Sequence, residues 1–279
     1  MERKKVTIPD LYQMKTDGRK VSVMTAYDYP GAILAEAAGV DVVLVGDSLG
    51  NVVMGLDSTV PVTMEEMIHH IKAVRRGLKS AFLIGDLPFM SYQVSREQAV
   101  MNSGRFLKEA GCDMVKLEGG AEMADTVKAI VDAGIPVCAH IGLTPQSVSK
   151  LGGYKVQGKD LKTAQKLIDG AKALEAAGAD MIVFECIPSA LAAAITANTG
   201  MVTIGIGAGP DCDGQVLVFH DLLGLTTRKT PKMARQYANL MEIAGAALGR
   251  YVAEVRAGDF PAPEHGFAMD AKVVRQLKL

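Results

Sequence analysis

The sequence predicts an α/β fold in which eight parallel strands alternate with helices and close into a (β/α)8 barrel. Short apolar, β-branched runs alternate with helical patterns along most of the chain. A phrase of the form Ala-Gly-Xaa-Asp also recurs, ending at Asp41, Asp113 and Asp180, and an apolar run follows each time. Its glycine can end a helix in the left-handed conformation, and the following run enters the core as a strand.

The first half of the chain supplies four strands, and the recurrent phrase introduces the second and the fourth. These strands are predicted at Val21–Thr25, Val42–Val45, Phe82–Gly85 and Met114–Leu117. The helical patterns that follow the first three are Ala32–Ala38, Met64–Gly77 and Arg96–Ala110.

The second half repeats the alternation, with Gly134 and Pro136 closing one helix and the third copy of the phrase closing another. Strands are predicted at Val137–His140, Met181–Phe184, Val202–Ile206 and Val216–Phe219. The helical patterns are Glu122–Ala133, Leu161–Ala177, Ser189–Asn198 and Lys232–Arg256. No linker, charge run or low-complexity segment divides the chain. Residues 1–279 are therefore predicted to form a single barrel domain, with a proline-rich tail from about residue 258.

The composition excludes several classes of protein. A formal charge of -1 over 279 residues gives no electrostatic footprint for nucleic acid or an anionic membrane. No apolar run reaches the roughly 18 residues of a membrane span, and the basic N-terminus lacks the apolar core of a secretory signal. The four cysteines have no CxxC spacing, which is typical of reduced thiols. These features predict a cytoplasmic protein.

Asp47 and Asp86 each follow a predicted strand directly or after one glycine. The residues just past the strand ends of a parallel barrel converge on one mouth, so these carboxylates are expected to meet there. Two hard carboxylates suit Mg²⁺, which completes its octahedron with water and substrate oxygens. Either aspartate alone could instead be a helix cap or a turn residue.

Lys116 and Glu118 lie two residues apart at the end of the fourth strand, so both side chains point to one face. Charges rarely point into a barrel interior unless they are paired or functional. Lys116 is therefore predicted to neutralise a substrate carboxylate, and Glu118 to complete the metal shell directly or through water. The structural alternative is a buried ion pair between the two.

Three further residues complete the predicted site. Ser48 offers a hydroxyl and an amide to an anion. His140 is a candidate for a substrate hydrogen bond, although a lone histidine is more often an ordinary core residue. Glu185 follows an apolar strand, and apolar surroundings would make its carboxylate a better proton acceptor. The alternative for Glu185 is a cap of the next helix.

A magnesium site beside a lysine and a carboxylate base is what enolate chemistry requires. The sequence contains no GxSxG serine and no P-loop. The residues alone therefore predict carbon–carbon bond chemistry on an oxo acid.

Several longer blocks resemble the ketopantoate hydroxymethyltransferase family of pantothenate biosynthesis. The resemblance runs from Thr7 to about Tyr237. Its blocks are VGDSLG at 45–50, GDLPFMSY at 85–92, VKLEGG at 115–120, HIGLTPQSV at 140–148 and IGIGAGPDCDGQVLV at 204–218.

The resemblance implies a (β/α)8 barrel of the phosphoenolpyruvate mutase/isocitrate lyase type, assembled as a homodecamer of two stacked pentamers. It implies transfer of the one-carbon unit of 5,10-methylenetetrahydrofolate to 3-methyl-2-oxobutanoate, giving 2-dehydropantoate. By the same resemblance, Mg²⁺ is held by Asp47, Asp86 and Glu118. Substrate is bound by Asp47, Ser48, Asp86 and Lys116, and Glu185 is the proton acceptor.

Two other functions stay open from the sequence. One is a Mg²⁺-dependent C–C lyase that acts on another 2-oxo or hydroxy acid, although the KKCGH-like cysteine motif of that wider group is missing. The other is a catalytically silent barrel that serves as a scaffold or a ligand-binding module. The full set of acids together with Lys116 argues against the silent barrel.

Overall fold

A computed structural model of the chain describes residues 3–153 and 155–277. Within that range eight parallel strands pair in sequence order, and the eighth pairs with the first, so the barrel is closed. The strands are β1 (Val21–Thr25), β2 (Val42–Val45), β3 (Phe82–Asp86), β4 (Met114–Glu118), β5 (Val137–Gly142), β6 (Met181–Glu185), β7 (Val202–Ile206) and β8 (Gly214–Leu217). The predicted fold class is confirmed.

Helices follow most of the strands on the outside of the barrel. They are α1 (Ile8–Thr16), α2 (Tyr29–Ala38), α3 (Leu49–Val52), α4 (Met64–Gly77), α5 (Arg96–Arg105), α6 (Ala124–Asp132), α7 (Val148–Leu151), α8 (Leu161–Ala176), α9 (Ser189–Thr196), α10 (Phe219–Leu223), α11 (Leu240–Ala257) and α12 (Ala271–Gln276). A π-helical turn, Phe106–Ala110, continues α5 to the glycine that ends it.

The apolar residues form two cores. The larger lies between the strands and the outer helices and includes Val43, Leu83, Val115 and Phe184. The smaller fills the barrel interior, where alternate strand residues point inward; it includes Val42, Phe82, Met114, Met181 and Ile204. The barrel is therefore packed along its length, and only its carboxyl end is left for a site.

Helix α1, which the sequence analysis did not predict, belongs to the inner core. Thr7 caps it in a capping box with Asp10, and Pro9 lies in its first turn. Leu11 and Met14 are buried in the same cluster as the inward strand residues. Its apolar face therefore extends the inner core beyond the strands.

Two predicted elements need correction. The eighth strand was predicted at Val216–Phe219 but spans Gly214–Leu217, and Phe219 begins α10. The strand begins at a glycine and not at an apolar residue, so hydrophobicity does not mark its start. Gly214 is required there because a Cβ would lie 2.4 Å from the carbonyl oxygen of Val21 on β1. The helix predicted at Lys232–Arg256 begins only at Leu240, because residues 225–239 form contacts across the barrel instead.

Four strands extend by one or two residues beyond their predicted ends, so Asp86, Glu118 and Glu185 are the last residues of β3, β4 and β6. The register places Asp86 beside Lys116 and Glu118 beside His140 on adjacent strands. Strand pairing alone therefore brings the charged residues into neighbouring positions.

No helix in the described ranges is both long and apolar enough to cross a bilayer. All four cysteines are free, and three of them are buried. The division into a single domain with a tail from about residue 258 stays a prediction; beyond Gly258 the described tail contains α12 and is mostly exposed.

Candidate active site

A cavity of about 420 Å³ opens at the carboxyl end of the strands. This volume lies within the roughly 300–1,000 Å³ typical of small-molecule sites. The cavity is lined by all seven residues that the sequence singled out: Asp47, Ser48, Asp86, Lys116, Glu118, His140 and Glu185. Residues spread over 139 positions of sequence thus share one pocket, at the barrel end where such sites form.

Asp47 and Asp86 form the floor of the cavity and are almost completely buried. The backbone N–H of Asp47 donates to Oδ2 of Asp86 over 3.2 Å, so the Asp86 carboxylate lies against the backbone of Asp47. Burial, together with the carboxylates of Asp86 and Glu118, raises the pKa of Asp47 to about 8. Burial also raises the pKa of Asp86, although Lys116 opposes that shift.

Lys116 pairs with the neighbouring strand more closely than with its own. Its Nζ donates to Oδ1 of Asp86 over 2.7 Å and lies 4.0 Å from Oε1 of Glu118. Burial disfavours the ammonium charge, but the carboxylates of Asp86, Glu118 and Asp47 outweigh it and raise the pKa of Lys116. The ion pair considered in the sequence analysis is therefore secondary to the Lys116–Asp86 pair.

His140 lies between two carboxylates. Its Nδ1 is 3.5 Å from Oε1 of Glu118, and its Nε2 is 3.4 Å from Oε2 of Glu185. Neither nitrogen makes a well-formed hydrogen bond within the described ranges, so these are ion-pair contacts. Burial and Lys116 alone would lower the pKa of His140, but the two glutamates raise it to about 9. This shift favours the protonated form of His140 between Glu118 and Glu185.

Glu185 is the most accessible of the site's acids, with its side chain 14% exposed. Apolar residues such as Val183 and Ile206 line the same cavity, but Nε2 of His140 lies 3.4 Å from the Glu185 carboxylate, a polar partner that the apolar strand did not predict. Cys186, the next residue, has a positive φ of 49°. Such a conformation is uncommon for a residue other than glycine and often marks functional sites. Here it turns the chain sharply just after the Glu185 carboxylate.

Sequence reasoning gave no role to Gln146 and Tyr92, which hold the acids in place. The Gln146 side-chain amide donates to Oδ2 of Asp47 over 3.0 Å, and its backbone N–H donates to Oε2 of Glu118 over 3.0 Å. The Tyr92 hydroxyl is 2.6 Å from Oε1 of Gln146 and accepts from the N–H of Glu118. Both residues lie inside conspicuous sequence blocks, but only the fold reveals these contacts.

Ser48 faces the cavity beside Asp47, and its hydroxyl lies 2.8 Å from the hydroxyl of Tyr27. Tyr27 is buried, and burial raises the pKa of its phenol well above the usual value, so the hydroxyl stays neutral. Tyr27 therefore orients Ser48 as a neutral hydrogen-bonding partner.

The floor is suited to a divalent cation. The carboxylates of Asp47, Asp86, Glu118 and Glu185 outnumber the two cationic side chains of the cavity floor. In the described ranges no three His, Cys, Asp or Glu side chains are grouped tightly enough to form a metal cluster. Asp47 and Asp86 nevertheless supply the one or two carboxylates that Mg²⁺ normally takes from a protein. A cation between them would also relieve the repulsion that raises the pKa of Asp47.

Curated relatives match the chain over nearly its full length. The 3-methyl-2-oxobutanoate hydroxymethyltransferase of Carboxydothermus hydrogenoformans is 58% identical over 273 residues, which is 98% of this chain and 99% of that protein. The enzyme of the same name from Moorella thermoacetica is 57% identical over 266 residues, covering 95% and 99% of the two chains.

Solved structures share the fold at low sequence identity. Phosphonopyruvate hydrolase superposes with a TM-score of 0.61 at 14% identity, over 97% of this chain and 94% of that one. A 2,3-dimethylmalate lyase of the phosphoenolpyruvate mutase/isocitrate lyase superfamily gives 0.58 at 16% identity, over 96% and 98%. Residues 5–263 match the family model described as ketopantoate hydroxymethyltransferase, and the chain belongs to that family.

Proposed function

We propose that this chain transfers the one-carbon unit of 5,10-methylenetetrahydrofolate to 3-methyl-2-oxobutanoate, forming 2-dehydropantoate in pantothenate biosynthesis. The observation that carries the proposal is one cavity with a carboxylate pair at its floor and a Glu118–His140–Glu185 chain along its wall. Membership of the family and the names of the relatives support the same substrate. A cytoplasmic location is retained as a prediction.

Asp47 and Asp86 would hold Mg²⁺, with Glu118 bound directly or through water. When bound, Mg²⁺ supplies electrostatic stabilisation of the negative charge that develops on the keto oxygen. Ser48 and Lys116 hold the carboxylate end of the oxo acid. Asp47 and Asp86 also contact the substrate at the floor of the cavity. Lys116 is fit for this role because its ammonium is fixed by Asp86 and the carboxylates around it keep it charged.

Glu185 accepts the proton from C3 of the oxo acid. Its carboxylate has the required exposure to the cavity, and Nε2 of His140 lies 3.4 Å from it and holds it in place. A substrate hydrogen bond from His140 stays a prediction. C3 of the resulting enolate then attacks the methylene carbon of the N5-iminium form of the folate, and the π electrons of the iminium return to N5. The bond between that carbon and N5 then breaks: the oxygen of a water molecule bonds to the carbon, and N5 takes a proton, so tetrahydrofolate leaves.

The homodecamer of two stacked pentamers is also a proposal, and α11 supports assembly of some kind. None of the eighteen residues of α11 is buried. Its exposed apolar side chains are Met241, Ile243, Leu248, Tyr251, Val252 and Val255. A neighbouring subunit that covered this helix would remove a large apolar surface from water. Light scattering after size exclusion should give ten times the 29.5 kDa chain mass.

The decisive experiment follows the C3 proton of 3-methyl-2-oxobutanoate by NMR in D₂O, with enzyme and Mg²⁺ but no folate. Wild-type enzyme is expected to exchange the proton, and Glu185→Gln or EDTA to slow exchange by at least ~100-fold. Repeating the measurement with tetrahydrofolate separates a folate-dependent first step from a wrong substrate. Absence of C3 proton exchange both with and without tetrahydrofolate would contradict the proposed function and favour a lyase that acts on a different acid.

A further inference from the structure

The carboxyl end of the barrel is crossed by residues 225–239, which join α10 to α11 and are here called the mouth strap. The strap contains no helix or strand of four or more residues. One of its contacts lies on the β2 side of the mouth. There Nη2 of Arg228 donates to the carbonyl of Leu56 over 2.9 Å, and Leu56 lies in the connection that follows β2.

A second contact lies on the opposite side of the mouth. The sulfur of Met233 is 3.5 Å from Sγ of Cys186, just past β6, and its side chain packs against Gly207 beyond β7. In a closed barrel of eight strands, β2 and β6 face each other. The segment from Arg228 to Met233 therefore spans the mouth above the acidic floor.

The strap is also fixed at its stem. Gly224, with a φ of 61°, brings the chain back on itself, and a Cβ at that position would lie 2.5 Å from the carbonyl oxygen of Ala238. The N–H of Tyr237 donates to the carbonyl of Leu222 over 2.8 Å. The two ends of the strap are thus held together by backbone contacts.

Charge changes sign between the floor and the rim beside the strap. Lys155, Arg228 and Lys229 line the outer part of the cavity, together with the acids Asp57 and Asp221. Within the described ranges no hydrogen bond or ion pair engages the ammonium of Lys229. Arg228 uses one donor for Leu56 and keeps others for a ligand. The rim therefore holds two neighbouring cations that the protein itself leaves largely unpaired.

We propose that Arg228 and Lys229 of the mouth strap bind the glutamate carboxylates of the folate substrate. This inference rests on the proposed function and identifies the folate-binding side of the same cavity. The folate carries its reactive methylene group near a fused ring and two carboxylates at the far end of the molecule. Apolar residues that line the cavity, among them Val156, Ile206 and Pro231, suit the ring and the aminobenzoyl group.

The oxo acid and the glutamate end of the folate are assigned to different parts of the cavity. The floor binds a small oxo acid through Lys116 and Ser48, whereas the strap lies across the opening through which the larger folate must enter. Guanidinium and ammonium groups are the usual partners of carboxylates, and charge-assisted hydrogen bonds are about twice as strong as neutral ones. Losing both cations should therefore weaken folate binding and leave oxo acid binding intact.

The test compares Arg228→Gln/Lys229→Gln with Lys232→Gln/Arg235→Gln. Both variants remove two positive charges from the same strap, but Lys232 and Arg235 do not line the cavity. The first variant is expected to raise KM for 5,10-methylenetetrahydrofolate by about tenfold or more, on the scale of a lost charge-assisted hydrogen bond. The control variant should change it less than about twofold, and KM for the oxo acid should stay near the wild-type value in both.

A donor without the glutamate, 5,10-methylenetetrahydropteroate, completes the test. Wild type and Arg228→Gln/Lys229→Gln should use it with equal kcat/KM, because neither has a tail contact to lose. Equal folate KM values for the two double variants, or a persistent difference with the pteroate donor, would overturn the inference. So would loss of folate-free C3 exchange in Arg228→Gln/Lys229→Gln alone, because the cations would then act on the oxo acid. Failure of the proposed function itself looks different: wild-type enzyme then forms no product with either donor.

Discussion

Acidic residues occupy both ends of this barrel, but the acids at the amino end have separate partners, whereas the four acids at the carboxyl end share Lys116 and His140. Aspartates precede the even-numbered strands at the amino end: Asp41, Asp113, Asp180 and Asp213. Asp47, Asp86, Glu118 and Glu185 lie at the carboxyl end. The same residue type thus stabilises the barrel at one end and builds the candidate site at the other.

Asp41, Asp113 and Asp213 each accept from a backbone N–H and pair with a cationic side chain. Asp180 accepts from the hydroxyl of Tyr12 instead. Lys15 lies 2.7 Å from Oδ2 of Asp213, which also accepts the N–H of Thr203 over 2.8 Å. Asp41 pairs with Arg3 over 2.6 Å and accepts the N–H of Ser22 over 2.9 Å. The N–H contacts tie β1 to the start of β2 and β7 to the start of β8. Arg3 and Lys15 both come from the part of the chain that precedes β1.

At the carboxyl end the acids face one another, and burial raises the pKa of both Asp47 and Asp86. Such an arrangement costs stability in the protein alone and is relieved by a bound cation. Substitution of an acid at the carboxyl end should therefore lower activity, whereas substitution of an aspartate at the amino end should lower stability.

The largest effect is expected from Lys116→Met, because it leaves the carboxylate of Asp86 buried without its partner. Breaking a buried pair in this way typically costs about 3–5 kcal/mol. Urea unfolding should show that loss, and C3 exchange should disappear. Adding Asp86→Asn should recover part of the stability without restoring exchange; no recovery would mean that the pair is not the source of the loss.

Asp47→Asn, at the carboxyl end, should lower activity without lowering stability. Removing a cation ligand from the floor is expected to reduce kcat/KM by ~100-fold or more, since metal assistance supplies several kcal/mol. The free energy of unfolding in EDTA at pH 8 should stay level or rise, because a disfavoured buried charge is gone. A large loss of stability would place Asp47 with the structural acids instead.

Asp213→Ala at the amino end should do the opposite. It removes the acceptor for Lys15 and Thr203, and hydrogen bonds to charged groups are worth about 1.5–3 kcal/mol, so we expect a loss of about 2 kcal/mol. C3 exchange per folded enzyme should be unchanged. Asp211→Ala, at an exposed neighbouring position, is the control and should shift the unfolding free energy by less than about 0.5 kcal/mol.

The smallest effect concerns Glu36, whose carboxylate accepts hydrogen bonds at the amino end of β3. Burial alone would raise its pKa, but the hydroxyl of Ser80 and the N–H groups of Ala81 and Ser80 hold it below the usual 4.5. A carboxyl group whose pKa is lower in the folded state stabilises the fold at pH values above its pKa in the unfolded state. This contribution is lost as the pH falls through the pKa of the folded state. Glu36→Gln should therefore destabilise the protein at pH 7, and the difference should shrink as the pH falls below 4.5. A pH-independent difference would contradict this origin.

Much of the fold could be predicted because strand and helix signals here are local. β1, β2 and β7 have the predicted bounds, and the acids at the strand ends could be placed at one mouth from parallel topology alone. The prediction failed at Gly214 and in the mouth strap. The Gly214 contact with β1 and the strap contacts with Leu56 and Cys186 join residues far apart in sequence.

Local sequence was enough to predict the alternation of strands and helices, the positions of the acids at the strand ends, and the resemblance to a family. Hydrophobic periodicity and motif order are properties of neighbouring residues, so they can be read without coordinates. The pairing of Lys116 with Asp86 and the hydrogen bonds of Gln146 to Asp47 and Glu118 are visible only in the folded chain. The same holds for the His140 bridge between two glutamates and for the strap across the mouth. Those contacts depend on strand register and barrel closure, which set distances between residues that the chain itself keeps far apart.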